Sequence, residues 1–98
     1  MDIQKSIRMA VDTGEVVFGK NESINSINRG ASKMVIIAGN VPQDIKVGVL
    51  KRARLAEVGA YEYEGTSMEL GSVCGKPYPI SIMSIIGPGD SDVLLLGK

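Results

Sequence analysis

The chain predicts an α/β fold: one sheet of four strands between two layers of helices. Three observations predict it. Short apolar runs at 15–18, 33–38, 60–63 and 80–86 alternate with stretches whose apolar residues recur at helical spacing. Each run is preceded by such a stretch, so helix and strand alternate along the whole chain. The 98 residues, 44% of them apolar, suffice for a single core and hold no low-complexity tract. Periodicity leaves the strand order open, and with it whether the sheet is parallel throughout.

Asp2 caps a first helix whose stripe is Ile3, Ile7, Ala10 and Val11, closed by Gly14. Val16-Val17-Phe18, bounded by Gly14 and Gly19, reads as a buried strand. Asn21-Glu22-Ser23 opens a helix over about 21–29, with Ile24 and Ile27 inward and a stop at Gly30. Lys33 to Ala38 is the most continuous apolar run of the first half, as a central strand covered on both faces requires. Gly39-Asn40-Val41-Pro42 leads into the longest helix, with Pro42 in its first turn. Ile45, Val49, Ala53 and Ala56 form its stripe, widened by Leu50, while Lys46, Lys51, Arg52 and Arg54 lie largely off it. Gly48 inside that helix costs about 1 kcal/mol relative to Ala, which points to close backbone packing or to no constraint at all. Gly59 is expected to end the helix.

Ala60 to Tyr63 alternates apolar and acidic positions like an edge strand. Thr66 and Glu69 have the spacing of a capping box, and Leu70, Val73 and Cys74 give the helix behind it a buried face ending at Gly75. Lys76-Pro77-Tyr78-Pro79 is a stiff connector to the last strand, Ile80 to Ile86, which the Gly87-Pro88-Gly89 turn closes. The tail Val93 to Leu96 is too apolar to be left in solvent.

Composition removes several functions. The chain has no histidine, so a Ser-His-Asp triad, a Cys-His pair and a histidine metal site are all excluded. A single cysteine, Cys74, excludes an internal disulfide and fits a reducing cytosol. Apolar stretches are too short to cross a bilayer, and the N-terminus lacks a signal-peptide pattern, so no membrane partner is expected. No carboxylates fall at a spacing that suggests acid–base work, and Gly87-Pro88-Gly89 lacks the Lys-Ser/Thr of a phosphate loop. No catalytic residue, metal or cofactor is expected. Eleven basic residues balance eleven acidic ones, which argues against coating nucleic acid through bulk charge and leaves local recognition with a shallow salt dependence.

Local recognition has an obvious place. In open α/β sheets ligands sit outside the carboxyl ends of the strands, and here two such ends lead into 19–22 and 39–42. A strand, a glycine and a helix N-terminus collect anions, because the first amide groups of a helix point outward unpartnered. Gly19, Lys20, Asn21 and Glu22 add an ammonium, an amide and a carboxylate, heads able to meet a base edge or a phosphate. The bland alternative is that Asn21, Glu22 and Asn40 only start helices. Lys46 sits one turn from Asn40. Tyr78 and Ile80, in a loop with little reason to be apolar, become a platform for an unstacked base if they lie near Asn21 and Asn40; otherwise they are satellite core. Cys74 is a core residue by default.

Several longer segments are more specific: Gly19-Lys20-Asn21-Glu22-Ser23-Ile24; Val35 through Lys46; Ala53-Arg54-Leu55; Tyr61 through Gly71; and Gly87-Pro88-Gly89-Asp90-Ser91-Asp92. Through them the chain resembles, over essentially its full length, the "L thirty-e" family of archaeal and eukaryotic large-subunit ribosomal proteins, part of the superfamily whose members bind RNA kink-turns. The resemblance implies a three-layer α-β-α sandwich with a four-stranded mixed sheet. It implies ribosomal RNA held at one end by loops that map onto 19–22, 39–46 and 76–80. It assigns Gly19, Lys20, Asn21, Glu22, Asn40, Lys46, Tyr78 and Ile80 to that contact, with Asn21 and Glu22 meeting guanines of sheared G·A pairs and with Tyr78 and Ile80 packing an extruded nucleotide.

The implied partners are a kink-turn in ribosomal RNA and neighbouring large-subunit proteins, for a chain that is monomeric when free and cytoplasmic in the ribosome. Asn25 stands where many relatives carry Lys, and helix 43–55 is basic where relatives tend to acidic and tyrosine residues. Two other readings share the fold, a stand-alone kink-turn protein of guide-RNA particles and a protein-interaction module. A small phosphate-ligand enzyme is a third rival, which the missing histidine disfavours.

Overall fold

The computed structural model describes residues 2–97. Helix α1 (Ile3–Thr13) begins where the Asp2 carboxylate accepts the Lys5 N–H at 3.1 Å and ends at Gly14, whose N–H donates to the Ala10 carbonyl. Strand β1 (Glu15–Phe18), helix α2 (Lys20–Asn28), strand β2 (Met34–Ile37), helix α3 (Gln43–Leu55) and strand β3 (Gly59–Glu62) follow. Helix α4 (Ser67–Val73) starts on the capping box that the spacing predicts: Thr66 Oγ1 accepts the Glu69 N–H, and the Glu69 carboxylate accepts the Thr66 N–H. Strand β4 (Ile82–Gly87) and a closing 3₁₀ turn (Val93–Gly97) complete the chain.

The sheet runs β1-β4-β2-β3, with β4 antiparallel to both neighbours and β2 parallel to β3. It is therefore mixed. Helix α1 packs against α4, while α2 packs on β4 and α3 on β2 and β3, so the sheet lies between two helical layers. Interior strands β2 and β4 hold the core: Met34, Val35, Ile36, Ile37, Ile82, Met83 and Ile85 are all buried. In the apolar tail Val93 is buried and Leu94 and Leu96 pack partly against the core, whereas Leu95 is exposed, against the expectation for the whole segment.

Three further sequence expectations need correction, and one open alternative, at Gly48, is decided. Strand β1 is an edge strand and only partly buried, because β4 and not β1 pairs with the central β2. Helix α3 ends at Leu55, where Glu57 takes the left-handed conformation (φ 59°) expected of a glycine, and Gly59 already belongs to β3. Close packing does not explain Gly48: a Cβ there would meet nothing within 4 Å. Strand β4 also starts two residues late, since the Ile80 N–H donates to the Ser67 carbonyl at the start of α4 and the Ser81 carbonyl accepts the Ala38 N–H from the segment after β2.

Candidate nucleic-acid interface

Because β4 runs against β1 and β2, its first residues lie at the sheet edge where those strands end. Two backbone bonds record this. The Gly19 N–H donates to the Ile82 carbonyl and the Ala38 N–H to the Ser81 carbonyl, both at 2.8 Å. The segments after β1, after β2 and before β4 are thus stitched side by side into one rim. Between them is a groove of about 530 Å³. Gly19, Lys20, Asn40, Tyr78 and Ile80 line it, as the sequence anticipates. So do Phe18, Val41, Pro42, Ile45 and Pro79, which the sequence reading did not single out.

Gly19 shapes the first wall. Its φ of 98° lies in the region that L side chains avoid, and it serves as the helix cap with no side chain assisting. Helix α2 consequently starts at Lys20, one residue earlier than expected, and Asn21 and Glu22 sit inside its first turn, exposed. Neither is a cap, so the helix-starting explanation fails for Asn21; Glu22 still complements the helix dipole. Asn21 lines the adjoining depression together with Lys20 and Ile45. Beneath α2, hydroxyls link it to β4: Ser26 Oγ lies 2.8 Å from Ser84 Oγ, which donates to Ser32 Oγ at 2.7 Å. Residues this small let the helix approach the sheet closely, which holds the direction of its N-terminus.

Asn40 has a role that its position before Pro42 conceals. Its Oδ1 accepts the Ser67 N–H at 2.9 Å, and its Nδ2 lies 3.4 Å from Ser67 Oγ. The amide therefore caps α4, not α3, and ties the second segment to the helix that precedes the third. One turn further along that helix, Gly71 lets the Tyr78 backbone approach so closely that an added Cβ would collide with the Tyr78 carbonyl oxygen. The loop is held there with the Tyr78 side chain 47% exposed, while Ile80, at 3%, is the groove's buried floor.

The predicted residues are not all brought together. Lys46 is largely buried and reaches the Glu62 carboxylate of β3 at 3.3 Å, so its ammonium is turned toward the sheet. Lys46 and Glu22 do not line the groove. Lys20 has no acidic partner among the described residues, whose ion pairs are Arg8–Asp12 and Lys46–Glu62. Lys76 lies over the Phe18 ring, 5.6 Å from its centroid, adding a second cation close to the rim. An aromatic residue directly before the loop glycine was the available signal for Phe18. The Asn40–Ser67 bond had none, since it joins residues 27 apart in sequence.

Burial pushes the Cys74 thiol up to about 11, against the pull of Lys76 and Arg8, so it remains protonated and unreactive. Among the described residues no cluster of three or more Cys, Asp or Glu is placed to hold a metal ion, and no helix is long and apolar enough to cross a membrane.

The sequence has close relatives over nearly its whole length. It is 48% identical over 94 residues to the large ribosomal subunit protein eL30 of Methanothermobacter thermautotrophicus, an alignment covering 96% of each chain. It is 45% identical to the protein of the same name from Methanosphaera stadtmanae, again over 96% of each chain. With the eL30 protein of Methanobrevibacter smithii it shares 47% identity over 96% of this chain and 95% of the other. A model of the ribosomal protein L7Ae/L30e/S12e/Gadd45 family matches residues 1–95. With the fold, the alignments and the family match in agreement, the chain is a member of the ribosomal protein L7Ae/L30e/S12e/Gadd45 family.

Proposed function

We propose that this chain is a structural constituent of the large ribosomal subunit and that its loop rim binds a kink-turn-like internal loop of ribosomal RNA. The subunit role is supported by relatives at 45–48% identity that are named large ribosomal subunit proteins. It is a structural role, not a catalytic one, in the cytoplasmic ribosome. The RNA contact rests chiefly on one observation: β4 begins where β1 and β2 end, with Gly19 bonded to its first residue, Ile82, and Ala38 to Ser81 just before it.

A sharply bent RNA offers a base edge, a phosphate and an extruded nucleotide within a short distance. The Glu22 carboxylate accepts from guanine N–H donors, and the Asn21 amide donates to base acceptors. The Lys20 ammonium takes a phosphate. The extruded nucleotide lies in the groove against Tyr78, over the floor made by Ile80. Asn40 fixes the rim through Ser67, and Lys46, held by Glu62, braces it. Binding selects the bent state of the RNA and shifts its population. Other large-subunit proteins are the neighbours in the assembled particle, and the free chain is a monomer.

A gel-shift series tests the contact. Replacing Asn21 or Glu22 with Ala is expected to weaken kink-turn binding by about 1–3 kcal/mol, with little change for a straight duplex. Unchanged affinity in the double variant removes these residues from base recognition. Sedimentation of a tagged chain in cell extract tests the assembly: co-migration with the large subunit through moderate salt is expected, and a free or small-particle position favours a stand-alone kink-turn protein.

A further inference from the structure

We infer that the cleft between α2 and α3 is a second stretch of RNA interface, where Arg52 takes a backbone phosphate of the stem leaving the kink. The inference rests on the reading of the rim as an RNA site and extends it along the helices. One depression begins at the first loop, lined by Lys20, Asn21, Ile24, Asp44, Gly48 and Arg52 among others. A second continues it between Ile27 and Leu55, and Arg52 lines both. The cleft thus runs from the base-reading turn along α2.

Two features match a nucleic-acid backbone. Gly48 leaves the middle of the cleft bare, since even a Cβ there would touch nothing within 4 Å. The charge is local: α3 carries Lys51, Arg52 and Arg54, all exposed and without acidic partners among the described residues, in a chain of zero net charge. The single acid of α3, Asp44, is at its first turn and lines the depression beside the first loop. Arg52 also lines the second depression, which no acid among the described residues does, so the phosphate is placed at that far end. A guanidinium suits this position because its planar fork meets two phosphate oxygens at once.

The test uses the full chain and two kink-turn RNAs with the same kink, one with a long flanking stem and one with that stem trimmed. Arg52→Gln removes charge without filling the cleft, and Gly48→Leu fills it without changing charge. Both are expected to weaken the long-stem complex roughly tenfold and leave the short-stem complex unchanged, and Arg52→Gln to reduce the long-stem salt slope by about 1. Equal affinity of variants and parent for the long-stem RNA overturns the inference, as does equal weakening with both RNAs. If the parent chain prefers neither RNA to a straight duplex, the rim reading itself fails, a result distinct from the other two. Preserved RNA binding with loss of co-sedimentation in Gly48→Leu would assign the cleft to a protein neighbour instead.

Discussion

Two glycines within helices show how little a residue type says before its surroundings are known. Gly48 has open space around it and sits mid-helix, so its effect on stability is confined to the backbone freedom it gives the unfolded chain. Gly71 is buried, with the Tyr78 carbonyl where a methyl would go. Gly48→Ala is expected to stabilise by about 1 kcal/mol, raising the melting temperature by roughly 4–8 °C. Gly71→Ala is expected to cost about 1–3 kcal/mol through overpacking and to loosen the Tyr78 wall, weakening RNA binding. Thermal melts decide it: shifts in the same direction for both would refute the contrast. Asn21 carries a similar lesson. Its type favours a cap, yet Gly19 takes that position and leaves the amide exposed.

Among the elements, α4 shows which boundaries sequence reveals. Its capping box is a local pattern of four residues, and the structure has it. The bond from Asn40 to the Ser67 N–H is equally part of the helix start but comes from another loop. Asn40→Ala is expected to cost about 1 kcal/mol, the usual loss for a cap. Asn40→Asp keeps an oxygen for the Ser67 N–H and adds a charge suited to the helix N-terminus, so it should melt near the parent temperature. The same charge faces the groove and should weaken RNA binding. Denaturation and gel shift on the pair check this, and a kink-turn affinity undiminished in Asn40→Asp would remove Asn40 from the contact surface. The end of α3 was missed for a related reason. Glu57 adopts a conformation its type disfavours, held by Val58 donating back to the Ala53 carbonyl at 2.8 Å.

For the molecule as a whole, packing between α4 and the sheet buries Cys74, whose sulfur lies 3.7 Å from that of Met83. Its thiol titrates near 11 when folded against 9.0 ordinarily. Between those values the unfolded chain loses the proton and the folded chain keeps it, so stability is fully present below pH 9 and falls as pH rises toward 11. The loss is of the order of 2–3 kcal/mol. The urea midpoint of the native chain should therefore drop more over this window than that of Cys74→Val, and parallel curves would reject the assignment. The alternation of periods determined the element order, the α/β class, the central position of β2 and the capped start of α4, because each is written in residues near one another in sequence. Loop composition determined which segments carry polar heads. Strand order, the antiparallel course of β4, the burial of Ile80, the diversion of Lys46 to Glu62 and the tie from Asn40 to Ser67 were decided only by tertiary structure. All of these depend on which distant segments meet, and a periodic pattern records that a face is buried without recording what covers it.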